Sequence, residues 1–459
     1  MDKQPLPRGP GWLGLSLTIT LAACATTREQ AVGQDVRALP PPPAPRGDAE
    51  LGEPLRGDLR SLVAAAMRRS PELRAAFHEL RAESLSISGA RRLPDPKLTY
   101  GYFIRSVETR VGPQRHRFGL SQTIPWPGKL SAGADAASAR SKAALRKLEA
   151  VRLGLRLRVT RAYYALWLTD QEERIEREQK VLLEGLSATA RAHLQAGQGN
   201  LASVTQIDLA AARTADRLVA LQERARGQRA DLRAAIGAAP DATLELRLEA
   251  PEHHLPATDE AALRSMAARH PGIARVDTLA EARDAATRSA EAERLPSFTL
   301  GVDYIETGDA AQPGVADSGK DPVVAMVSVS LPVWAGSYDD SIGAERAQAA
   351  ALRARADGLR DVAAARVSTL LARLRDTHRR VELHSGTLMP QARAAFESVT
   401  SAFSVGDAGV ASVLLAQRDL LEVRLELARA RHDHAVAWAE LEDAVGTPVP
   451  DGSEEEVAP

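Results

Sequence analysis

Leu93-Pro94-Asp95-Pro96-Lys97-Leu98-Thr99-Tyr100 returns 202 residues later as Leu295-Pro296-Ser297-Phe298-Thr299-Leu300, each time leading from a helical run into alternating residues. Working outward, Ser70-Pro71-Glu72-Leu73 matches His270-Pro271-Gly272-Ile273, and Ile124-Pro125-Trp126-Pro127-Gly128 matches Leu331-Pro332-Val333-Trp334-Ala335-Gly336. Farther on, Gln195-Ala196-Gly197-Gln198-Gly199 matches Ser404-Val405-Gly406-Asp407-Ala408-Gly409, and Ala235-Ile236-Gly237 matches Ala444-Val445-Gly446. A long period present only twice means two halves of one architecture, since a solenoid needs many short repeats.

The segments after the two proline pairs read as strands. Leu98, Tyr100, Tyr102 and Ile104 fall on one face of the first, and His116, Phe118, Leu120 and Ile124 on one face of the second. Phe298, Leu300, Val302 and Tyr304, then Val323, Ala325, Val327, Val329 and Leu331, repeat the pattern, a period-two signal. The expected strands cover about 96–105, 115–124, 297–305 and 323–332, each long enough to cross a bilayer tilted. Nine of the seventeen aromatic residues lie in or beside these segments, as an interfacial girdle requires. Four strands cannot close a barrel and lipid does not tolerate open edges, so a membrane reading demands that strands be pooled between chains.

Lys129 to Ala196 is proline-free and rich in Ala, Leu, Arg, Glu and Lys, and 338–405 repeats this apart from Pro390, which should bend or break its helix. Each run is about 100 Å long as a continuous helix. In the helix after Gly409, Val413, Leu420, Leu427, His434 and Leu441 recur every seven residues beside Ala416, Val423, Ala430, Ala437 and Ala444, a packing seam whose alanines permit close approach. Gly197, Gly199, Gly406 and Gly409 punctuate the turns.

Net charge is −1, so no global basic field points to nucleic acid. Lys3 and Arg8 precede an apolar stretch, Gly11 to Ala23, that is too short for a permanent span and shaped like a secretory signal. It ends in Leu21-Ala22-Ala23-Cys24, which resembles a bacterial lipobox, with Cys24 the lipidated new N-terminus. Ala25 in place of aspartate resembles lipoproteins delivered to the outer membrane. Cys24 is the only cysteine, so no intrachain disulfide is possible. The resulting division is 1–23 signal peptide, 24–57 lipidated Pro-rich tether, 58–240 first repeat, 241–257 inter-repeat linker, 258–447 second repeat and 448–459 disordered tail.

Duplicated helix, strand pair, long helix, glycine turn and return helix behind a lipobox resembles the TolC family of outer-membrane efflux factors, over roughly residues 55 to 447. The residues that carry the likeness are Leu93-Pro94-Asp95-Pro96, Ser121 through Leu130, Ser330-Leu331-Pro332-Val333-Trp334, and Ser404-Val405-Gly406 with its return helix. The resemblance implies a mainly α fold with transmembrane β: a homotrimer with a twelve-stranded β-barrel continuing into a periplasmic α-helical barrel. It implies a non-catalytic conduit working with a periplasmic adaptor and an inner-membrane RND-type pump, and needing no cofactor. In that frame Pro125, Pro127, Gly128, Pro332 and Gly336 mark strand-to-helix junctions. Ala196, Gly197, Gln198 and Gly199, with Val405, Gly406, Asp407 and Gly409, form the tips that meet the adaptor. Loops 106–114 and 306–321 face outside.

Some family members constrict the tip with aspartates, but Ser412 and Leu415 occupy the matching positions here, leaving Asp208 and Asp407 as candidates for acidic rings; helix-start acids complementing the dipole are the alternative. Pro125-Trp126-Pro127-Gly128-Lys129 looks most like members paired with heavy-metal pumps, although no His, Cys or Met set has ligand spacing. His253-His254 and His432-x-His434 read as surface or seam residues. A lipid-anchored periplasmic coiled-coil scaffold is the competing reading. Nucleophile elbow, phosphate loop and zinc signature are all missing, which argues against an enzyme.

Overall fold

In the computed structural model, which describes residues 55–197 and 199–451, the first half runs β1 (Leu55–Gly57), α1 (Leu59–Arg69), α2 (Pro71–Arg91), β2 (Lys97–Tyr102), β3 (Glu108–Thr109), β4 (Gly112–Ile124), α3 (Lys129–Gln195) and α4 (Leu201–Ile236). After β5 (Leu244–Leu246) the second half runs α5 (Glu260–Ala267), α6 (Pro271–Glu293), β6 (Ser297–Thr307), β7 (Val323–Ser330), α7 (Ala335–Leu383), a π-helical turn (His384–Leu388), α8 (Met389–Ser404) and α9 (Val410–Val445). The expected signal, Cys24, most of the tether, Gln198 and residues 452–459 lie outside the described residues.

The same local chemistry starts and stops both halves. Asp58 caps α1 by accepting from Ser61 N–H at 2.9 Å, and Asp259 caps α5 by accepting from Ala262 N–H at 2.6 Å. Pro71 and Pro271 open α2 and α6, where the missing N–H costs nothing. The return helices α4 and α9 are both 36 residues long and end at Gly237 and Gly446, whose positive φ values (77° and 79°) close a helix without a Cβ clash.

All four predicted strands join one antiparallel sheet in the order β2-β4-β6-β7, with the halves meeting at β4 and β6. Leu98 faces Leu120, Leu120 faces Val302 and Val302 faces Ala325, so the predicted apolar faces form continuous rows. The bounds differ at the loop end. β2 stops at Tyr102, while β4 begins at Gly112, pairs with the short β3 and carries an irregularity between Gln114 and His116. β6 reaches Thr307, so part of each expected outer loop is strand.

α3 packs α2 near the sheet and α4 farther along; α7 packs α6 and α9 in the same way, and α3 contacts α6 and α9 to join the halves. Leu155, Val159, Tyr163 and Leu166 of α3 form one core with α1 and α4, while Leu370, Leu371 and Leu374 of α7 form another with Leu441 and Ala444 of α9. Pro390 interrupts its helix as expected, by a specific device: Met389 N–H donates to His384 O, one residue farther back than in an α-helix. That wider turn precedes the proline, which sits in the first turn of α8 where a donor is dispensable.

Two stretches expected to be unstructured are held in place. β1, at the end of the tether, pairs in parallel with β5 of the inter-repeat linker. The tail from Pro448 packs as far as Asp451, because Val449 is buried against the α5, α7 and α9 core and Asp451 bridges Pro256. Among the described residues, no helix is long and apolar enough to cross a membrane.

Candidate functional site

The sheet has one apolar and one polar face, both set by strand alternation. On the apolar face Leu98, Leu120, Leu300, Val302 and Val327 are all exposed, a concentration that a monomer in water does not retain without reason. Aromatic residues bound this band at both ends. Toward the loops, Tyr100 stands 5.3 Å from Phe118 and Phe118 6.5 Å from Tyr304, ring centre to ring centre; toward the helices, Trp126 stands 6.2 Å from Phe298. From Phe298 to Tyr304 the strand runs about 20 Å, a rise of roughly 15 Å at the tilt of a barrel strand, which fits within a bilayer-facing apolar band.

The opposite face carries Thr99, Gly119, Ser121, Thr123, Gly301 and Asp303. Arg117 of β4 pairs with Asp303 of β6, and Thr123 and Thr299 share a hydrogen bond of 2.9 Å. Gly119 makes the ion pair possible, because a Cβ there would occupy the space of the Asp303 carboxylate.

The junction residues converge beneath the sheet. Pro94, Pro125, Trp126, Lys129, Leu295, Pro332 and Tyr338 line an open cavity of about 440 Å³, with the Lys129–Glu293 ion pair at 3.1 Å in its wall. Pro127 and Gly128 make the turn into α3, with Gly128 at φ 97°. Gly336 lies in the first turn of α7, beside the junction that follows β7, with no positive φ and no close neighbour that requires a glycine.

At the other end the two glycine turns pack together. Leu183, Leu186 and Ala190 of α3, Val204 and Ile207 of α4, Phe403 of α8, and Val410 and Val413 of α9 form one core, and His193 lies 5.6 Å from Phe403. Gly197 (φ 74°) and Gly406 (φ 86°) turn the chain. Ala196 ends α3, Gly199 sits against the backbone of Leu194, and Val405 is exposed. Gly409, at φ −81°, is an N-cap rather than a left-handed turn residue.

The candidate gate residues are not equivalent. Asp208 accepts from Ser187 Oγ at 2.6 Å and from Arg191 Nη2 at 2.9 Å, a tie between α4 and α3; these two donors hold its carboxyl below the usual range. Its charge is therefore largely answered within the chain. Asp407, Ser412 and Leu415 are exposed, and among the described residues the Asp407 carboxylate has no ion-pair partner.

Two clusters escaped the sequence reading. Glu172, Glu173 and Glu176 are buried in the middle of α3; Glu176 accepts from Arg217 at 2.8 Å and Glu172 from Arg224 at 3.0 Å. Their spacing within one turn was visible in the sequence, but their partners on other helices were not. The histidines form the second cluster: His253 lies 5.8 Å from His378, His378 6.2 Å from His434 and His434 6.5 Å from Trp438. His434 Nε2 donates to the His254 carbonyl at 3.0 Å, and burial pushes its pKa down to about 4. The seam role assigned to His434 is thus its position, and the linker is what it holds.

Comparison with known proteins bears on all of this. The model of the outer membrane efflux protein family matches residues 62–238 and 262–447, one block for each half. The chain belongs to the outer membrane efflux protein family. A curated relative, the outer membrane efflux protein BepC of Brucella suis, is 23% identical over 405 residues, 87% of each chain. Among solved structures, VceC of Vibrio cholerae superimposes with a TM-score of 0.71 at 20% identity, covering 85% of this chain and 96% of its own. The open-state channel MtrE of Neisseria gonorrhoeae gives 0.66 at 19%, covering 85% and 89%. Family membership makes this chain an outer-membrane efflux channel of the TolC type and not an enzyme, and removes the membrane-free scaffold reading.

Proposed function

We propose that this chain is one third of a passive trimeric conduit that carries cargo from the periplasm, or from an inner-membrane RND-type pump docked through a periplasmic adaptor, to the exterior. The observation that carries the reading is the sheet of β2, β4, β6 and β7, whose edges β2 and β7 are unpaired among the described residues while its apolar face is exposed. Unpaired edges do not persist in hydrocarbon, so the edges must pair with other copies, and three chains supply twelve strands. The face bearing Arg117, Asp303, Thr99 and Thr123 then lines the lumen.

Cys24 anchors the assembly to outer-membrane lipid in this reading, and the tips at 196–201 and 405–410 receive the adaptor. Asp407, exposed beside Gly406, is the better candidate for an acidic ring, because Asp208 is committed to Arg191. The likeness of Pro125-Trp126-Pro127-Gly128-Lys129 to members paired with heavy-metal pumps supports metal cations as cargo.

The test is the mass and heat behaviour of the detergent-solubilised full chain. A trimer that runs slowly before boiling and falls to the faster-running monomer after it supports the conduit, and a soluble monomer without detergent overturns it. Radiolabelled palmitate should enter wild type and not Cys24→Ala. Growth of a deletion strain on copper, zinc and cobalt, against growth on organic antibiotics, decides the cargo class.

A further inference from the structure

No His, Cys or Met set in this sequence has metal-ligand spacing, yet the fold gathers three donors from two distant segments. Glu252 and His254 lie in the linker between β5 and α5, and Asp451 lies beyond α9. The segments are brought together by the antiparallel bridge between Pro256 and Asp451 and by Ala257 N–H donating to Pro450 O at 3.2 Å. An oxygen from each carboxylate and a nitrogen of the His254 ring all lie within 4.8 Å of one another.

The separations suit a small divalent ion. At metal–ligand bonds of about 2.0–2.2 Å and tetrahedral angles, neighbouring donor atoms stand about 3.3–3.6 Å apart. His254 Nε2 is 3.6 Å from Glu252 Oε2, so that pair is already at ligand spacing, and an Asp451 oxygen lies within 4.8 Å of both partners' donor atoms. His254 is also held from behind: its carbonyl accepts from His434 Nε2 at 3.0 Å, and its ring stacks on His253 with an interplanar angle of 5°. The three residues open onto a groove of about 780 Å³ between α1, α3 and α9, which leaves room for a water ligand in the remaining position.

We propose that Glu252, His254 and Asp451 form a divalent transition-metal site that clasps the C-terminal segment to the inter-repeat linker. One imidazole with two carboxylates favours zinc, cobalt or nickel; calcium and magnesium prefer oxygen-only shells, and copper(I) prefers sulfur ligands. The site lies on chain segments that the conduit reading does not use, and it stands whatever the cargo.

The test is calorimetric titration of Zn²⁺ alone into the EDTA-stripped, detergent-solubilised full chain, purified without a histidine tag. One Zn²⁺ should bind per chain. Glu252→Gln, His254→Ala and Asp451→Asn should each weaken binding by more than the roughly 10–100-fold that loss of an outer-shell partner costs. Co²⁺ should give ligand-field absorption in wild type that His254→Ala lacks, and bound Zn²⁺ should slow amide exchange at Val449 and Asp451. Absence of saturable binding, or equal affinity in all three variants, overturns the proposal. Glu252→Gln and Asp451→Asn keep the side-chain volumes and decide the matter should His254→Ala fail to fold. Oligomer mass and heat behaviour, measured on the same samples, report on the conduit separately.

Discussion

Glu172 on α3 and Arg429 on α9, 257 residues apart in sequence, lie 3.4 Å apart across the seam between the two halves. The same carboxylate takes Arg224 of α4 at 3.0 Å, so one buried acid fastens three helices of the rod. Alanine-rich seams let helices approach closely but specify little about register, because one alanine fits much like the next. A buried charge with two partners specifies it, since a slip of one turn would leave a desolvated carboxylate unanswered.

Glu172→Gln keeps the volume and removes the charge while both arginines remain. The expected loss is about 1–3 kcal/mol per chain, the cost of leaving buried polar partners mismatched. Thermal unfolding of the solubilised protein should move down by several degrees, and by little for Glu223→Gln, whose pair with Arg226 is exposed. Equal shifts in the two variants would show that Glu172 has no special role.

The two tip glycines invite a paired experiment. Gly406 sits at φ 86°, where any other residue costs about 1–2 kcal/mol, whereas Gly409 sits at φ −81° as the N-cap of α9. Gly406→Ala should lower efflux at normal outer-membrane levels, read as dye accumulation in whole cells. Gly409→Ser, which supplies the capping oxygen that α9 lacks, should be neutral or slightly stabilising.

A charge placed on either face of the sheet tests which face meets lipid. Val302→Arg puts a cation in the middle of the apolar band at about 2–4 kcal/mol per chain, and should abolish the slow-running oligomer of unboiled samples on gels. Thr99→Arg, on the polar face of β2 next to Leu98, which lies at the level of Val302 in the sheet, should assemble normally and alter only conductance. Assembly of both would mean that the band does not face hydrocarbon.

Much of this architecture was legible because it is local. Period-two alternation named the four strands, and Gly197 and Gly406 marked turns through a backbone constraint that acts within a few residues, whereas Gly237, Gly446, Pro71 and Pro271 stood out only as repeated landmarks and the structure makes them helix ends. Pairing β4 with β6 was not legible, since alternation gives faces and not neighbours. Nor was the holding of Pro448 to Asp451: a short Pro-rich stretch reads as loose until Val449 finds its pocket. The tip was half legible, because Gly197 and Gly406 announce turns by composition, while the tie of Asp208 to Arg191 depends on how α4 folds back on α3. The histidines failed for the same reason, as His253, His378 and His434 come from a linker and two helices.

The last prediction concerns pH and rests on an asymmetry between the halves. Ser70 caps α2 by accepting from Leu73 N–H at 3.2 Å, and the second half uses His270 in its place, with Nδ1 accepting from Gly272 N–H at 3.0 Å. That bond needs an unprotonated Nδ1. Burial lowers the His270 pKa, the Arg366 charge lowers it further, and Asp443 opposes them. A folded-state pKa below the unfolded value of about 6.5 means that the unfolded chain binds more protons as pH falls past that point. The capping contribution is therefore complete above about pH 6.5 and is lost as pH drops through the lowered folded value. His270→Ser carries the first half's solution into the second and removes the titration while keeping a cap. Between pH 7 and pH 5 the melting temperature of wild type should fall faster than that of His270→Ser, the difference between the two profiles isolating this one group. Parallel profiles would mean that protonated His270 keeps its place by turning its ring, and that the cap is not what holds α6.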